Sequence, residues 1–456
     1  MYQMSHLGFD DNYKLDRVEQ ILREDGMDIL NDEMLSPIFN ENEGTSNTLP
    51  AFLRREVQFG EILGTGAFGI VREVKIIKLI EAAESDSKPL TKELTNCKSD
   101  LISMYAEGRQ ESEESFSSAS TRDFMSAMCM RQGESRYAVK YLLLEDSNED
   151  QQARARVDLA IEVNYLKALS HPHIVKIRGV MKTENPFHPI FFFLMDRLYG
   201  TLNDRIIEWD ERKRRKSLDL THIFLKTFQA AKYQTWKNEF LKERIFIAND
   251  IASAISYLHS RRVIHRDIKK QNIGFDIRGN VKVFDFGLAK SLRDDRLSSC
   301  GYYNLTAQAG SVPYMAPEVA LGGAYNEKCD VFSFGVLLYE IVSLKPPFKL
   351  AIKKDYTKKV AEGGKRPHIK TCWPLITKDI LRSTWAASPL DRPSMSSTCK
   401  MLRSNLEEME NEQNIQARME NIANASWHSS KHLLDFDSSL LEKSKHRSLS
   451  FSIFVP

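Results

Sequence analysis

The sequence predicts an α+β chain built as two successive lobes, the first rich in strands and the second mostly helical. Three observations carry that expectation. Residues 55–77, 135–145 and 189–196 hold alternating or wholly apolar runs of strand length. After Asp196, segments with helical periodicity dominate. Strands come first and helices later, the order of a segregated α+β architecture rather than of alternating βαβ units.

Residues 1 to about 50 are rich in Asp, Glu and Asn. One helix is available there, "KLDRVEQILRE" (14–24), in a segment otherwise expected to be flexible. "REVQFGEILGTGAFGIVREVKII" (55–77) reads as two strands joined by a glycine turn. The charged, serine-rich "EGRQESEESFSSASTRD" (107–123) marks a disordered insertion at about 76–135. "SRYAVKYLLLE" (135–145) returns to strand character. "RVDLAIEVNYLKALS" (156–170) repeats with a helical period through Val157, Ile161, Tyr165, Leu166 and Leu169. "HPHIVKIRGVM" (171–181) and "PIFFFLMD" (189–196) are further strands. A helix is expected over 244–260, and a buried one over 332–344, which is apolar nearly all round. A basic insertion lies near 209–240, and a polar, Ser-rich tail fills 406–456.

Bulk composition excludes several classes. Lys plus Arg (64) nearly balance Asp plus Glu (62), so charge points to neither nucleic acid nor an acidic surface as partner. No apolar run reaches the roughly 18 residues that span a bilayer. The ends show no secretory or lipidation pattern. The six cysteines form no C-x-x-C pair and are expected to be reduced, which suits a cytoplasmic or nuclear protein.

Chemistry-bearing residues recur in one order. Gly64-Thr65-Gly66-Ala67-Phe68-Gly69 is a G-x-G-x-x-G whose backbone N–H groups can cradle phosphates. It is equally a plain glycine hairpin. Lys140 ends "YAVK", either as a phosphate-binding point charge or as an edge lysine facing water. Glu162 is either a solvated glutamate or the partner that fixes Lys140. Asp267 stands two residues after His265 and can accept or orient a hydroxyl proton. Asn272 and Asp285 offer oxygen ligands for Mg²⁺. Together the glycine turn, Lys, Glu, H-R-D-x-x-x-x-N, D-F-G and A-P-E (316–318) form an ordered set.

This set resembles the eukaryotic protein kinase superfamily over about 55–405, most nearly a Ser/Thr kinase of the tyrosine-kinase-like group. The resemblance implies a two-lobed protein kinase fold, with an antiparallel-sheet N-lobe, one main N-lobe helix and a helical C-lobe. It implies transfer of the ATP γ-phosphate to Ser/Thr hydroxyls of proteins in intracellular signalling, with Mg²⁺ or else Mn²⁺. By the same resemblance, residues 64–69 and Lys140 hold the phosphates, and Lys140 pairs with Glu162. Asp267 is the base, Lys269 meets the γ-phosphate, and Asn272 and Asp285 hold the metal. Leu63, Val71 and Ala138 enclose adenine, Met195 is the gatekeeper, and Asp196–Leu198 form the hinge. Leu166, Ile177, His265 and Phe286 stack as a spine. Glu318 pairs with Arg392, and Asp330 braces the catalytic loop. Lys269, Ser311 in "GSVPYMAPE" and the stretch "WAASPLDRPSM" (385–395) carry the Ser/Thr assignment.

Some features depart from the family's pattern. Lys75 and Lys78 lie nearer the glycine turn than Lys140, which is preferred for its Ala-x-Lys strand. Arg266 implies control by a phosphate placed on 288–315 by an upstream kinase. Thr306 is the first choice, and Ser298, Ser299, Tyr302 and Tyr303 compete. The run Arg212–Lys216 is either an import or acidic-partner patch or a solvated helix. The rival functions are a scaffolding pseudokinase and a dual-specificity kinase. Gly274 stands where the family usually places a leucine-like floor beneath adenine. This predicts a gap, weaker ATP binding, and a lower KM in Gly274→Leu unless a neighbour fills it.

Overall fold

The computed structural model describes residues 18, 49–66, 69–80, 118–143, 148–183, 185–221, 227–292, 297–298, 301–348, 353–411 and 414–415. Its first lobe carries β1 (Ala51–Phe52), β2 (Val57–Thr65), β3 (Gly69–Ile77), β4 (Met130–Arg131), β5 (Glu134–Ser135), β6 (Tyr137–Leu142), β7 (Ile177–Met181) and β8 (Phe192–Asp196). Six of these form one sheet in the order β1-β7-β8-β6-β3-β2. Its neighbours pair antiparallel, except that β1 runs parallel to β7. Alternation explains the choice of strand: Val57, Val74, Ile77 and Val139 are buried, while Gln58, Glu61 and Lys75 face water. The fold begins at Ala51 rather than at 55, because Phe52 is fully buried against β7.

Helix α1 (Ser118–Ala127) and the β4–β5 hairpin correct the expected disorder of 76–135 over its last third. Few residues hold them, which is why apolar content missed them. Met125 and Cys129 are buried, Ser126 Oγ donates to Ile77 O (2.7 Å), and Ser135 Oγ to Val74 O (2.8 Å). Arg122 Nη2 meets Glu56 Oε1 at 2.7 Å, and the buried Glu56 carboxylate also accepts N–H bonds from Leu53 and Ile80. Removing one partner of a buried charged group typically costs about 1–3 kcal/mol. Arg122→Ala is therefore expected to lower the urea midpoint of the N-lobe, read by the fluorescence of the folded protein. An unchanged midpoint would count against α1 as an anchor.

Helix α2 (Glu149–Ala168) starts about two turns before the predicted 156. Asn148 Oδ1 accepts from Gln151 N (2.9 Å), and Gln151 Oε1 accepts from Asn148 N (3.4 Å). That polar first turn carries no apolar period, so the sequence pattern begins only at Val157.

The second lobe packs α3 (Leu202–Thr221), α4 (Thr227–Ser260), α5 (Lys328–Ser343) and α6 (Leu375–Thr384), followed by helical residues 395–411. Every residue of α5 from Cys329 to Ser343 is buried. The basic insertion expected at 209–240 extends α3 and α4 themselves. Trp209 Nε1 and Arg212 both donate to Glu243 (3.0 and 2.9 Å), and Trp236 stacks on Phe240. Arg214 pairs with Asp210, so two of the five basic positions in 212–216 are neutralised within the helices. Between α4 and α5, two short ribbons frame a loop. β9 (Val263–Ile264) pairs with β12 (Lys290–Ser291), and β10 (Ile273–Phe275) with β11 (Val281–Val283).

Of the N-terminal segment 1–50, Val18 is helical and buried, Leu49 and Pro50 lead into β1, and the rest lies outside the described residues, as does the tail beyond 415. Among the described residues no helix is long and apolar enough to cross a membrane.

Candidate active site

The cleft between the lobes is built from four pieces. The first is the β2–β3 turn. Gly66 N donates to Gly69 O (2.7 Å), and the chain continues as β3, not as a helix, so a dinucleotide-type turn is excluded. Ala67 and Phe68 lie outside the described residues. A Cβ on Gly69 would stand 3.4 Å from Lys140 Cε, which places this end of the turn over Lys140.

The second piece is charge brought together by β6, α2 and the end of β11. Lys140 Nζ lies 2.6 Å from Glu162 Oε2 and 3.0 Å from Asp285 Oδ1. Burial alone would lower the Lys140 pKa, but the two carboxylates outweigh it and hold it above the usual lysine value. Burial pushes the Glu162 carboxyl up to about 7 against the pull of Lys140. Lys140 holds Asp285 below the ordinary aspartate range. Lys75 and Lys78, the nearer candidates, are exposed.

The third piece is the loop 265–272 between β9 and β10. Asp330 on α5 is fully buried and accepts from the backbone N–H of His265 (2.8 Å) and Arg266 (2.9 Å) and from the His259 ring (3.0 Å). Burial opposes that charge, yet the His259 and His265 contacts hold Asp330 below its usual value. Asp267 is 8 % exposed. Its Oδ2 accepts from Lys269 Nζ (2.5 Å) and Asn272 Nδ2 (3.0 Å), while its buried Oδ1 has no partner among the described residues. Lys269 also reaches Ser311 Oγ at 3.0 Å. Gly310 backs the loop at φ 96°, where a Cβ would fall 2.3 Å from Arg266 O, so only glycine fits. Arg266 (φ 67°) and Asp285 (φ 68°) occupy the left-handed region, a strain of about 1–3 kcal/mol each that their ionic and backbone contacts maintain.

The fourth piece is the hinge. Met195 pairs with Ala138 in the β6–β8 ladder, and both are buried. The Asp196 carboxylate is gripped by Arg178 at 2.7 and 3.1 Å. Val71 is half-buried against the same core, and Leu63 stands exposed at the end of β2. The spine residues Leu166, Ile177, His265 and Phe286 are all buried, with the His265 and Phe286 rings 4.9 Å apart.

The gap expected at Gly274 is filled. A Cβ there would meet Leu198 Cδ1 at 2.6 Å and Phe284 Cε1 at 3.2 Å. A neighbour thus occupies the space, and the condition on which Gly274→Leu was to lower KM is not met.

Downstream, the Arg392 guanidinium is buried. Nη1 donates to Glu318 Oε1 (2.6 Å) and Lys328 O (3.0 Å), Nη2 to Glu318 Oε2 (2.8 Å) and Ala387 O (3.1 Å), and Nε to Ala386 O (2.9 Å). Sequence reasoning missed Tyr325, which accepts from Arg266 Nη1 (3.2 Å) and donates to Thr306 O (2.8 Å). No motif flags it. Thr306 itself is exposed, whereas Tyr303 is buried with its hydroxyl on Arg262, and Ser299 lies outside the described residues.

Residues 117–402 match the family model described as protein tyrosine and serine/threonine kinase, which leaves the glycine turn ahead of the matched span. Mitogen-activated protein kinase kinase kinase 7 of Drosophila melanogaster is 30% identical over 244 residues, 52% of this chain and 30% of that one. A probable LIM domain-containing serine/threonine-protein kinase of Dictyostelium discoideum is 34% identical over 160 residues, 35% of this chain and 16% of its own length. Tyrosine-protein kinase Abl of Drosophila melanogaster is 30% identical over 273 residues, 59% and 14% of the two chains. The chain thus spans less than a third of the length of these curated relatives.

Proposed function

Because this chain belongs to the protein tyrosine and serine/threonine kinase family, we propose that it transfers the γ-phosphate of ATP to Ser or Thr hydroxyls of protein substrates. The observation that carries the reading is Asp267. It is a nearly buried carboxylate held by Lys269 and Asn272, with one oxygen left without a partner among the described residues. A carboxylate so placed can orient an incoming hydroxyl and take its proton. Lys269 is steered by Asp267 and Ser311 toward the place where the transferred group would sit. The bond to Ser311, on the segment that would receive the substrate, supports Ser/Thr over Tyr as acceptor.

ATP would lie between the β2–β3 turn and the hinge. Leu63, Val71, Ala138 and Met195 would supply apolar walls, backbone groups of Asp196–Leu198 would meet the base edge, and Gly64, Thr65, Gly66, Gly69 and Lys140 would hold the phosphates. The Asn272 and Asp285 oxygens suit Mg²⁺, a hard ion that takes one or two protein ligands and completes its shell with phosphates and water. When bound, the metal neutralises phosphate charge. The protein's own part is positioning: Lys140 is locked by Glu162, Asp285 by Lys140, and the loop carrying Asp267 by Asp330.

A cytoplasmic or nuclear location belongs to the same reading, on the ground of six scattered cysteines with no C-x-x-C pair. The test is transfer of label from γ-labelled ATP to a generic protein acceptor, wild type against Asp267→Asn. Equal transfer by the two proteins would favour a scaffold.

Control by an upstream kinase belongs to the same reading. Thr306 is exposed, and its backbone is already joined to Arg266 through Tyr325. A phosphate there can add charge-assisted bonds that order the segment. Thr306→Ala is expected to lower the activity of protein purified from a eukaryotic host by about tenfold, the scale of one lost charge-assisted contact. Undiminished activity would remove Thr306 from that role.

A further inference from the structure

We propose that Leu198, seated by the β4–β5 hairpin and backed by Phe284, forms the floor of the nucleotide-base pocket and sets which bases the site accepts. The inference rests on the ATP-site reading above, in which Leu198 contributes only backbone, and gives its side chain a role. Three observations meet at Leu198.

The first is space. Leu198 Cδ1 and Cβ lie 2.6 and 3.3 Å from where a Gly274 Cβ would stand, and Phe284 Cε1 lies 3.2 Å away. Gly274 is buried on β10, while Leu198 and Phe284 are only partly buried, packed on the core with a face left open. The volume missing at 274 is thus supplied from the hinge on one side and from the residue before Asp285 on the other. Such exchanges conserve volume and are tolerated where simple enlargement is not.

The second is backbone. Tyr199 N donates to Phe275 O (2.7 Å), and Phe275 N to Gly200 O (3.2 Å). Thr201 and Gly274 also form a bridge. The stretch after the hinge is therefore laced to β10, with Leu198 at its start.

The third is the clasp on both neighbours of Leu198. Arg197 Nη1 lies 3.1 Å from Glu134 Oε2 and 3.4 Å from Glu73 Oε2, and Arg197 N donates to Arg136 O (3.0 Å). Tyr199 Oη donates to Ser135 O (3.1 Å), and the Arg197 guanidinium lies 5.0 Å from the Tyr199 ring. Glu134 and Ser135 form β5, inside the inserted segment. With Arg197 and Tyr199 both turned toward the hairpin, the side chain between them is directed the other way, toward Gly274.

The experiment is equilibrium binding of ATP and of N6-benzyl-ATP to the full chain by calorimetry, with melting temperature measured alongside without nucleotide. Variants are Leu198→Ala, Gly274→Leu, Gly274→Ala, the double Leu198→Ala/Gly274→Leu, and Glu134→Ala. Leu198→Ala and Gly274→Leu should each weaken ATP binding about tenfold, the scale of one misfitted apolar group. The double variant should recover to within about threefold of wild type. Leu198→Ala should also shift preference toward the N6-benzyl analogue, and Glu134→Ala should weaken ATP binding about threefold at unchanged melting temperature. If Gly274→Leu does not fold, Gly274→Ala, which places a single carbon against Leu198, carries the comparison. ATP binding by Gly274→Leu at or above wild-type strength, or no recovery in a folded double variant, would overturn the floor. A wild-type chain that binds no ATP would instead overturn the phosphotransferase reading.

Discussion

Asp267→Asn is expected to lower phosphoryl transfer by about 10²–10⁴-fold, the usual worth of a positioned general base, while ATP binding stays within a few-fold of wild type. The replacement is isosteric. The amide oxygen can still accept from Lys269 and Asn272, which now meet Asp267 Oδ2 at 2.5 and 3.0 Å. The group that changes is Oδ1, buried and without a partner among the described residues. An amide nitrogen there donates where a carboxylate oxygen would accept, so a substrate hydroxyl loses both its acceptor and its orientation. The loop should keep its shape, because its backbone hangs on Asp330 rather than on Asp267. Single-turnover transfer and ATP binding, measured on the same preparation, check this. A kcat loss accompanied by an equal loss of ATP affinity would point to a collapsed loop instead of a missing base.

Lys140→Met should cost about 10²–10³-fold in transfer, the range for deleting one preorganised electrostatic contact, and should leave a second trace in stability. Glu162 is 3% exposed, and burial raises its pKa to about 7 even with Lys140 beside it. Without the ammonium that pKa climbs further. A carboxyl whose folded pKa lies above its unfolded value makes the folded state bind the extra proton. Stability then falls as pH rises from the unfolded pKa to the folded one, by about 1.4 kcal/mol per unit. In the wild type this loss ends near pH 7; in the variant it continues above it. Melting temperatures of the two proteins should therefore run roughly parallel from pH 5.5 to 7 and diverge from 7 to 8.5, the variant lower. Parallel curves throughout would mean that Glu162 does not depend on Lys140 for its charge.

The motif residues were legible because each is a residue type fixed by its chemistry, at spacings that local structure sets. Asp267 and Asn272 share one loop, and Lys140 and Glu162 face each other from β6 and α2. Long apolar helices were legible for the same reason, α5 above all. What the pattern could not reveal was held by polar or sparse contacts. α1 stays in place through Arg122, Ser126 and Met125, within a segment whose mean composition reads as disorder. The first turns of α2 rest on a capping box. Leu198 beneath Gly274 is a contact between residues 76 positions apart, and no local rule foresees that one side chain will fill the space another leaves.

Arg392 carries a consequence for how far this chain can drift in sequence. A guanidinium has five N–H groups, and here all five meet an acceptor: two carboxylate oxygens of Glu318 and the carbonyls of Lys328, Ala386 and Ala387. Lysine brings three donors on a single atom and cannot reach five acceptors spread around a plane. Arg392→Lys should therefore leave buried acceptors unpaired and lower the melting temperature. Among related chains position 392 should vary as little as Asp267, for reasons of folding alone.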